Sequence, residues 1–356
     1  MNLADPHSPL TADEAAALFR AVSRDGETTC LLAVSGGPDS TALMRLAADA
    51  APLLAPLRFI VATVDHGLRE AARAEAEGVV AQATALRMEA RLLRWEAADR
   101  PARGVQQAAR EARYRLLMNC ARECGSDLLA TAHTLDDQAE TVLMRLAAGS
   151  GLDGLAAMAR RSPVGDIVVA RPFLAIPKSR LVATCRARGW AYVEDPSNQD
   201  PAYTRPRLRG IADALAAEGL TAERLARLAR RAASARDALD DCARRCFARA
   251  SQTGGGGAGV TLDGRVLAGE PFEIVLRVLG LALDAVADGG ESGRAAAYGP
   301  RLRKLETLCE ALTAALAAGA PMPGRTLAGA RFALDAQGRV RVTRAPARKG
   351  GSQRGG

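Results

Sequence analysis

Five short segments gather residue types that can do chemistry. The first is Ser35-Gly36-Gly37-Pro38-Asp39-Ser40, set between an apolar run and a helical pattern. Two glycines remove side chains where a backbone must bend and approach a ligand closely. The helix that follows presents unpaired N–H groups and the positive end of its dipole. Ser35 and Ser40 add hydroxyls, so the loop suits a phosphate or pyrophosphate. It lacks the Gly-Lys-Ser/Thr of the nucleoside-triphosphate P-loop, which implies a different phosphate-binding class. Asp39 repels phosphates unless a cation lies between, and this makes it a candidate Mg2+ ligand. A plain glycine turn capped by serine does not explain Asp39. Nor does it explain the hexapeptide's place at the end of a strand, where open α/β sheets bind ligands.

The second segment, Val64-Asp65-His66-Gly67-Leu68-Arg69, also closes a strand. Asp65 and His66 can bind a ribose or base edge and Arg69 a phosphate, although such a turn is by itself more often only a turn. The third is His133-Thr134-Leu135-Asp136-Asp137-Gln138-Ala139-Glu140-Thr141, opening a helix. His133, Asp136, Asp137 and Glu140 lie three or four apart and are expected to share one face. Acids in a first turn complement the helix dipole, which accounts for Asp136 and Asp137 but not for Glu140 and His133. Three carboxylates on one face need a cation, either a metal or an ammonium-bearing substrate. The fourth pairs Arg110 with Arg113 in a helix, as a phosphate reader or a solvated basic face. The fifth runs from Glu194 to Asp200 and on through Tyr203 to Arg205 and Arg209, two guanidiniums at helical spacing that can take a phosphate.

These segments need a scaffold. Apolar runs at 30–34, 58–64, 90–95, 127–131 and 167–171 read as strands. Helical patterns follow at 70–88, 105–123, 136–148 and 177–188. The alternation predicts an α/β domain with a parallel sheet covered on both faces, over residues 1–210. Residues 211–343 read as a mainly helical region with a small α+β part, in which a β-hairpin over 326–343 turns at Asp335–Gly338. The run Gly254–Gly257 reads as a linker, and 344–356 as a basic, disordered tail. Arg224, Arg227 and Arg231 recur at helical spacing as a candidate phosphate-contacting stripe, with Leu225, Leu228 and Leu239 expected in the core. A solvated arginine face is the plainer account of that stripe.

The 356 residues are 48% hydrophobic and 25% charged, an ordinary globular balance that excludes a mostly disordered chain. No apolar run reaches the roughly 18 residues of a membrane span, and the acidic start is not expected to be a signal peptide. Seven cysteines at irregular spacing are too sparse for a disulfide scaffold, so a reducing, cytoplasmic setting is expected. The net charge of +8 permits a polyanionic partner.

The five motifs, in this order, resemble the tRNA(Ile)-lysidine synthase family over about residues 28–210. That family belongs to the adenine-nucleotide α-hydrolase-like ATP pyrophosphatases, whose Rossmann-like fold carries a Ser-Gly-Gly-x-Asp-Ser phosphate loop. The loop fixes only the superfamily. The Val64–Arg69, His133–Thr141 and Glu194–Arg205 segments are more specific. Pro206 departs from the family's asparagine after the arginine.

The resemblance implies an ATP-dependent ligation of free L-lysine to C2 of the wobble cytidine of tRNA(Ile) with anticodon CAU. Residues 1–210 would then be catalytic and 211–343 would bind tRNA. Ser35 to Ser40, Asp65 and His66 would bind ATP, and Asp39 would hold Mg2+. Arg113 would stabilise charge at the α-phosphate. Asp136, Asp137 and Glu140 would attract the lysine ammonium, with Asp137, Glu140 or His133 as proton acceptor. Arg205, Arg209, Arg224, Arg227 and Arg231 would contact tRNA. Whether the chain forms a homodimer stays open. A tRNA thiolase or an amide-forming ATP pyrophosphatase is the rival enzyme reading, with Cys120 and Cys124 the only nearby cysteines. A nucleotide-sensing or RNA-binding module without turnover is the rival from another class.

Overall fold

The computed structural model describes residues 8–67, 71–96, 105–193, 204–252, 259–286 and 300–345. The expected Gly254–Gly257 linker, the acidic stretch from Glu194, Arg69 and the tail beyond Ala345 lie outside them. Close contacts divide the chain into two units: residues 1–148 with 156–230, and residues 149–155 with 231–356. The division falls after Arg230, where Gly210 was expected. Leu225 and Ala229 pack against Ala139 and Val142, which ties the start of their helix to the first unit.

In the first unit a six-stranded sheet runs β3-β2-β1-β4-β6-β5. The strands are β1 Thr29–Ala33, β2 Arg58–Asp65, β3 Glu89–Arg94, β4 Leu128–Ala130, β5 Arg161–Val164 and β6 Ile167–Ala170. Five are parallel, at the expected positions. The edge strand β5 was not expected: it folds back antiparallel on β6 across a turn at Gly165. Arg161 anchors it, reaching Glu27 at 2.6 Å. Four residues reading Arg-Ser-Pro-Val carry no period-2 signal that would mark a strand.

Helices α1 Ala12–Arg20, α2 Pro38–Ala50 and α3 Ala71–Ala85 precede β3, followed by α4 Val105–Glu123, α5 Leu135–Ala147, α6 Leu152–Leu155 and α7 Lys178–Ala187. The strands are apolar on both faces. Cys30, Leu32, Phe59 and Val61 enter one core with Leu43 and Leu46 of α2, and Leu31, Ala33, Ile60 and Ala62 enter the other with Leu117 of α4. This is why the β1 pattern is continuous rather than alternating. Chain order reverses direction at β1, whose neighbours are β2 on one side and β4 on the other. The loops leaving β1 and β4 therefore diverge at a topological switch point, and a crevice opens at their carboxyl ends.

The chain continues through α8 Thr204–Gly210 and α9 Ala212–Ala217 into the long helix α10 Ala222–Ala250. Pro206 sits in the first turn of α8, where a missing N–H costs no helical bond. Leu225 is buried as expected, but Leu228 is 40% exposed because it turns to the other side of α10.

The second unit holds an antiparallel sheet, β7-β10-β9-β8, formed by β7 Gly259–Asp263, β8 Met322–Leu327, β9 Ala330–Leu334 and β10 Arg339–Arg344. The expected hairpin is its β9–β10 pair, turning at Asp335–Gly338, and β8 and β7 extend it on either side. Arg344, assigned to the tail, ends β10. Helices α11 Gly264–Ala268, α12 Phe272–Val286 and Pro300–Ala317 complete the unit. Their apolar faces cover Phe332, Val340 and Val342. Arg277, 11% exposed, binds Asp153 at 2.8 Å and Asp240 at 2.6 Å, joining α6 to this unit.

Phe19, Phe59 and Phe173 form an aromatic cluster in the core that includes α2, with ring centroids 5.0 Å (Phe19–Phe59) and 6.3 Å (Phe19–Phe173) apart. Phe173 is fully buried. Phe173→Ala should lower unfolding stability by about 3–5 kcal/mol. Denaturant melts of the two proteins measure this, and a loss under about 1 kcal/mol would mean the cluster collapses around the gap.

Candidate active site

The phosphate loop follows from β1. Gly36 has φ 86°, a left-handed conformation costly for other residues, and its carbonyl accepts from the Val193 N–H at 2.9 Å. Gly37 caps α2 and Pro38 takes its first position. Ser40 Oγ accepts from the Ser35 N–H at 3.1 Å and lies 3.2 Å from Ser35 Oγ. The loop is thus pre-shaped, and the N-terminus of α2 faces the crevice.

Asp39 stands in the first turn of α2. Its Oδ2 binds Lys178 Nζ at 2.7 Å, while Oδ1 is buried and has no hydrogen-bond donor. Burial pushes its carboxyl above the usual carboxylate range. Lys178 pulls it back, and Asp137 and Asp136 push it up again. Lys178 escaped the sequence reading. Its signal was compositional: it is one of three lysines in a chain with 48 basic residues, where arginine is the default.

The acidic segment divides into distinct roles. Thr134 caps α5, so His133 precedes the helix rather than sharing its face. Asp137 Oδ2 accepts from the Thr134 N–H at 2.9 Å and from its hydroxyl at 3.0 Å, closing a capping box. Asp136 points elsewhere: its Oδ2 accepts the Lys178 N–H at 2.7 Å and so caps α7, whose Pro177 offers no side-chain cap. The single shared face expected for all four residues is therefore reduced to Asp137 and Glu140.

Glu140 is 8% exposed and is met by arginines of α8. Arg209 Nε binds Glu140 Oε1 at 2.5 Å, and Arg205 Nε lies 3.7 Å from Oε2. Arg209 also lies 3.7 Å from Asp137 Oδ1. Burial raises the Glu140 carboxyl above its ordinary value, and Arg209 only partly offsets this. The residues assigned to tRNA phosphate and those assigned to lysine are thus brought together.

A third group is cationic. Arg113 on α4 is half-buried, and among the described residues it has no carboxylate partner. Burial lowers its pKa, although the nearby Tyr114 opposes the shift. Arg171, just past β6, donates to Ala159 O at 2.7 Å and leaves a buried Nε without an acceptor. His133 Nδ1 lies 2.8 Å from Thr131 Oγ1. Burial depresses its pKa to about 4, helped by Arg171, Arg205 and Arg113 and opposed by Asp137. His133 is a neutral imidazole at physiological pH.

On the far side of β1, Asp65 Oδ1 accepts the Gly67 N–H at 2.8 Å in a tight turn. His66 stands edge-on to Trp95, with centroids 6.4 Å apart. In α10, Arg224 donates to Gly219 O at 3.1 Å and so closes the preceding turn, whereas Arg227 and Arg231 are exposed. All seven cysteines are free. Cys120 lies on α4 with its side chain buried in the core, and burial pushes its thiol up to about 12.

A serine-glycine phosphate loop at the switch point of a parallel sheet, with a carboxylate in its first turn, defines an ATP-pyrophosphatase domain, and residues 10–215 match the PP-loop domain family. The chain belongs more narrowly to the tRNA(Ile)-lysidine synthase family. It is 45% identical to the tRNA(Ile)-lysidine synthase of Bradyrhizobium diazoefficiens across 99% of both chains. It is 48% identical to that of Methylobacterium nodulans across 90% of this chain and 91% of that one. Among solved structures, the U34-tRNA thiolase NcsA of Methanococcus maripaludis has a similar fold, with a TM-score of 0.53 over 62% of this chain and 78% of that chain, at 18% identity.

His133 gives a direct test of this electrostatic layout. Its folded pKa lies below the value of about 6.5 for a free histidine, so the unfolded chain takes up the proton first. Its share of stability is whole above about 6.5 and lost as pH falls through about 4. An NMR titration of the three histidines should show one midpoint near 4, missing in His133→Asn. A midpoint near 6.5 for His133 would mean the ring is open to water.

Proposed function

We propose that the chain ligates free L-lysine to C2 of the wobble cytidine of tRNA(Ile) with anticodon CAU, in two steps at one site. The single observation that carries this is the juxtaposition of Asp39 on the phosphate loop with the acidic start of α5, bridged by Lys178, whose Nζ lies 2.7 Å from Asp39 Oδ2 and whose backbone N lies 2.7 Å from Asp136 Oδ2. One locus handles phosphates. Beside it, the other offers buried carboxylates to a cation.

In the first step the C2 carbonyl oxygen attacks the α-phosphorus of ATP. The new P–O bond replaces the bond to pyrophosphate, which leaves. Backbone N–H groups of Gly36, Gly37 and the α2 start, with the Ser35 and Ser40 hydroxyls, hold the β- and γ-phosphates. Asp65 and His66 take the ribose or base edge. Arg113, with no carboxylate partner among the described residues, is available for charge at the α-phosphate.

The orphaned Asp39 Oδ1 fits Mg2+, which is held by one or two carboxylates together with substrate phosphates. When bound, the ion would neutralise charge on the departing pyrophosphate. Lys178, whose ammonium already sits on Asp39 Oδ2, is placed to follow the phosphates.

In the second step the lysine ε-amine attacks C2, the C2–O bond breaks, and AMP leaves with that oxygen. The ammonium has a reference pKa of about 10.4 and must lose a proton first. Asp137 and Glu140 attract it. Glu140, its carboxyl raised by burial, is the better matched acceptor of the two. Neutral His133 stands by as a second acceptor. Asp136 contributes charge, not a ligand, since its carboxylate caps α7. A cytoplasmic setting supplies ATP, lysine and tRNA.

The mass of the product nucleoside after incubation with ATP, lysine and total tRNA tests the whole reading. Within it, Asp39→Asn should slow formation of adenylated tRNA by about 100-fold or more. Glu140→Gln should spare that step and stop lysine transfer, as judged by single-turnover trapping with labelled ATP. Equal loss of both steps in Glu140→Gln would assign the acidic pair to ATP instead.

Arg227 and Arg231, both exposed on α10, are the residues assigned to tRNA phosphates. Replacing both with alanine should flatten the log–log salt dependence of tRNA affinity by about one unit per lost contact. Arg224→Ala should add little, because its guanidinium closes a turn at Gly219. An unchanged slope in the double variant would make the stripe a solvated face.

A further inference from the structure

We infer that Arg209 is a placeholder for the lysine ammonium, and that tRNA opens the lysine subsite by drawing this arginine away. The inference rests on the reading of Asp137 and Glu140 as the lysine subsite.

The subsite is already filled. Arg209 donates from Nε to Glu140 Oε1 at 2.5 Å and from its terminal nitrogen to Oε2 at 3.4 Å. The same terminal nitrogen lies 3.7 Å from Asp137 Oδ1. One guanidinium therefore occupies both carboxylates that the second step needs for an ammonium. Arg205 approaches the remaining side of Glu140 at 3.7 Å. The lysine ammonium cannot be seated between Asp137 and Glu140 without displacing Arg209.

The two partners differ in freedom. Glu140 is 8% exposed and set in α5, whereas Arg209 is 42% exposed on the short helix α8. Glu140 cannot move to water, but Arg209 can. Withdrawing Arg209 would leave the buried Glu140 with only Arg205, 3.7 Å away, which is costly for a carboxylate that burial already raises. Arg209 thus leaves only when a replacement cation arrives and an anion receives it. The lysine ammonium is the first, and the phosphodiester backbone of tRNA is the second. Arginine matches a phosphate with two parallel hydrogen bonds as well as it matches a carboxylate.

Binding is consequently coupled: each substrate removes an obstacle to the other. The coupling is reciprocal, so lysine should tighten tRNA binding by the same factor that tRNA tightens lysine. Free lysine then occupies the subsite mainly when a tRNA is present to be modified.

The test is calorimetric titration of L-lysine into the full chain, with and without tRNA(Ile), for wild type, Arg209→Gln and Arg209→Lys. Wild type should bind lysine about tenfold or more tighter with tRNA. Arg209→Gln should bind it tightly without tRNA and lose most of the tRNA effect. Arg209→Lys, which keeps the charge, should retain the effect in part. Equal wild-type affinity with and without tRNA overturns the inference, whatever the variants do. So does an Arg209→Gln that folds, as judged by its melt, and gains no lysine affinity. Glu140→Gln separates the underlying reading: if it binds lysine as well as wild type, the acidic pair is not the lysine subsite, and both fall together.

Discussion

A carboxylate removed from water must be given a cation, and this requirement organises the crevice. Asp39, Asp137 and Glu140 sit at the carboxyl end of a sheet covered on both faces, where burial raises Asp39 and Glu140 above their ordinary range. Each is met by a cation from a later part of the chain. Lys178 of α7 reaches Asp39, and Arg209 and Arg205 of α8 reach Glu140. Without those partners the acids would take up protons or open the fold. The contacts that assemble the site are therefore the ones the substrates must exchange. On the proposed reading, Mg2+ and phosphate would trade with Lys178, and lysine and tRNA would trade with Arg209.

Topology determines which charges can meet. Because β1 lies between β2 and β4, the loops after β1 and β4 flank one crevice, and the phosphate loop and the acidic helix become neighbours. β6 beside β4 brings Arg171 to the same edge, with Ala130 in register with Ala170. Burial, with Arg171, Arg205 and Arg113, depresses the His133 pKa to about 4, and Asp137 opposes the shift. The result is a graded field: anion-receiving near Arg113 and Arg171, cation-receiving near Glu140.

The parallel sheet and the phosphate loop were legible in the sequence because they rest on local signals. Continuous apolar strands, two glycines and a following helix each announce themselves within ten or so residues. What could not be read was set by contacts between distant segments. β5 has a strand's geometry without its period, because an edge hairpin needs only one partner. Helical spacing put Asp136 beside Asp137, yet α7 needed a cap and took Asp136 for it. Leu228 fitted a helical stripe, but α10 buries Leu225 and Ala229 instead. The unit boundary moved past Gly210 for the same reason. The arginines of the fifth motif were legible as phosphate binders, while their position on Glu140 was not, because charge pairing across 69 residues leaves no local trace.

Chemistry also sets the identity of each cation. At Asp39 a compact ammonium suffices, since it has one carboxylate oxygen to satisfy and phosphates to follow. At Glu140 the requirement is stricter. A lysine side chain there would carry the same amine as the substrate, beside an acceptor able to deprotonate it and near the activated C2 carbon. It would compete as a nucleophile and tether the tRNA to the protein. Arginine stays protonated in proteins and offers no free amine, so it can fill the subsite without entering the reaction. On the proposed reading, a site that deprotonates one lysine would thus be closed by a basic side chain it cannot activate.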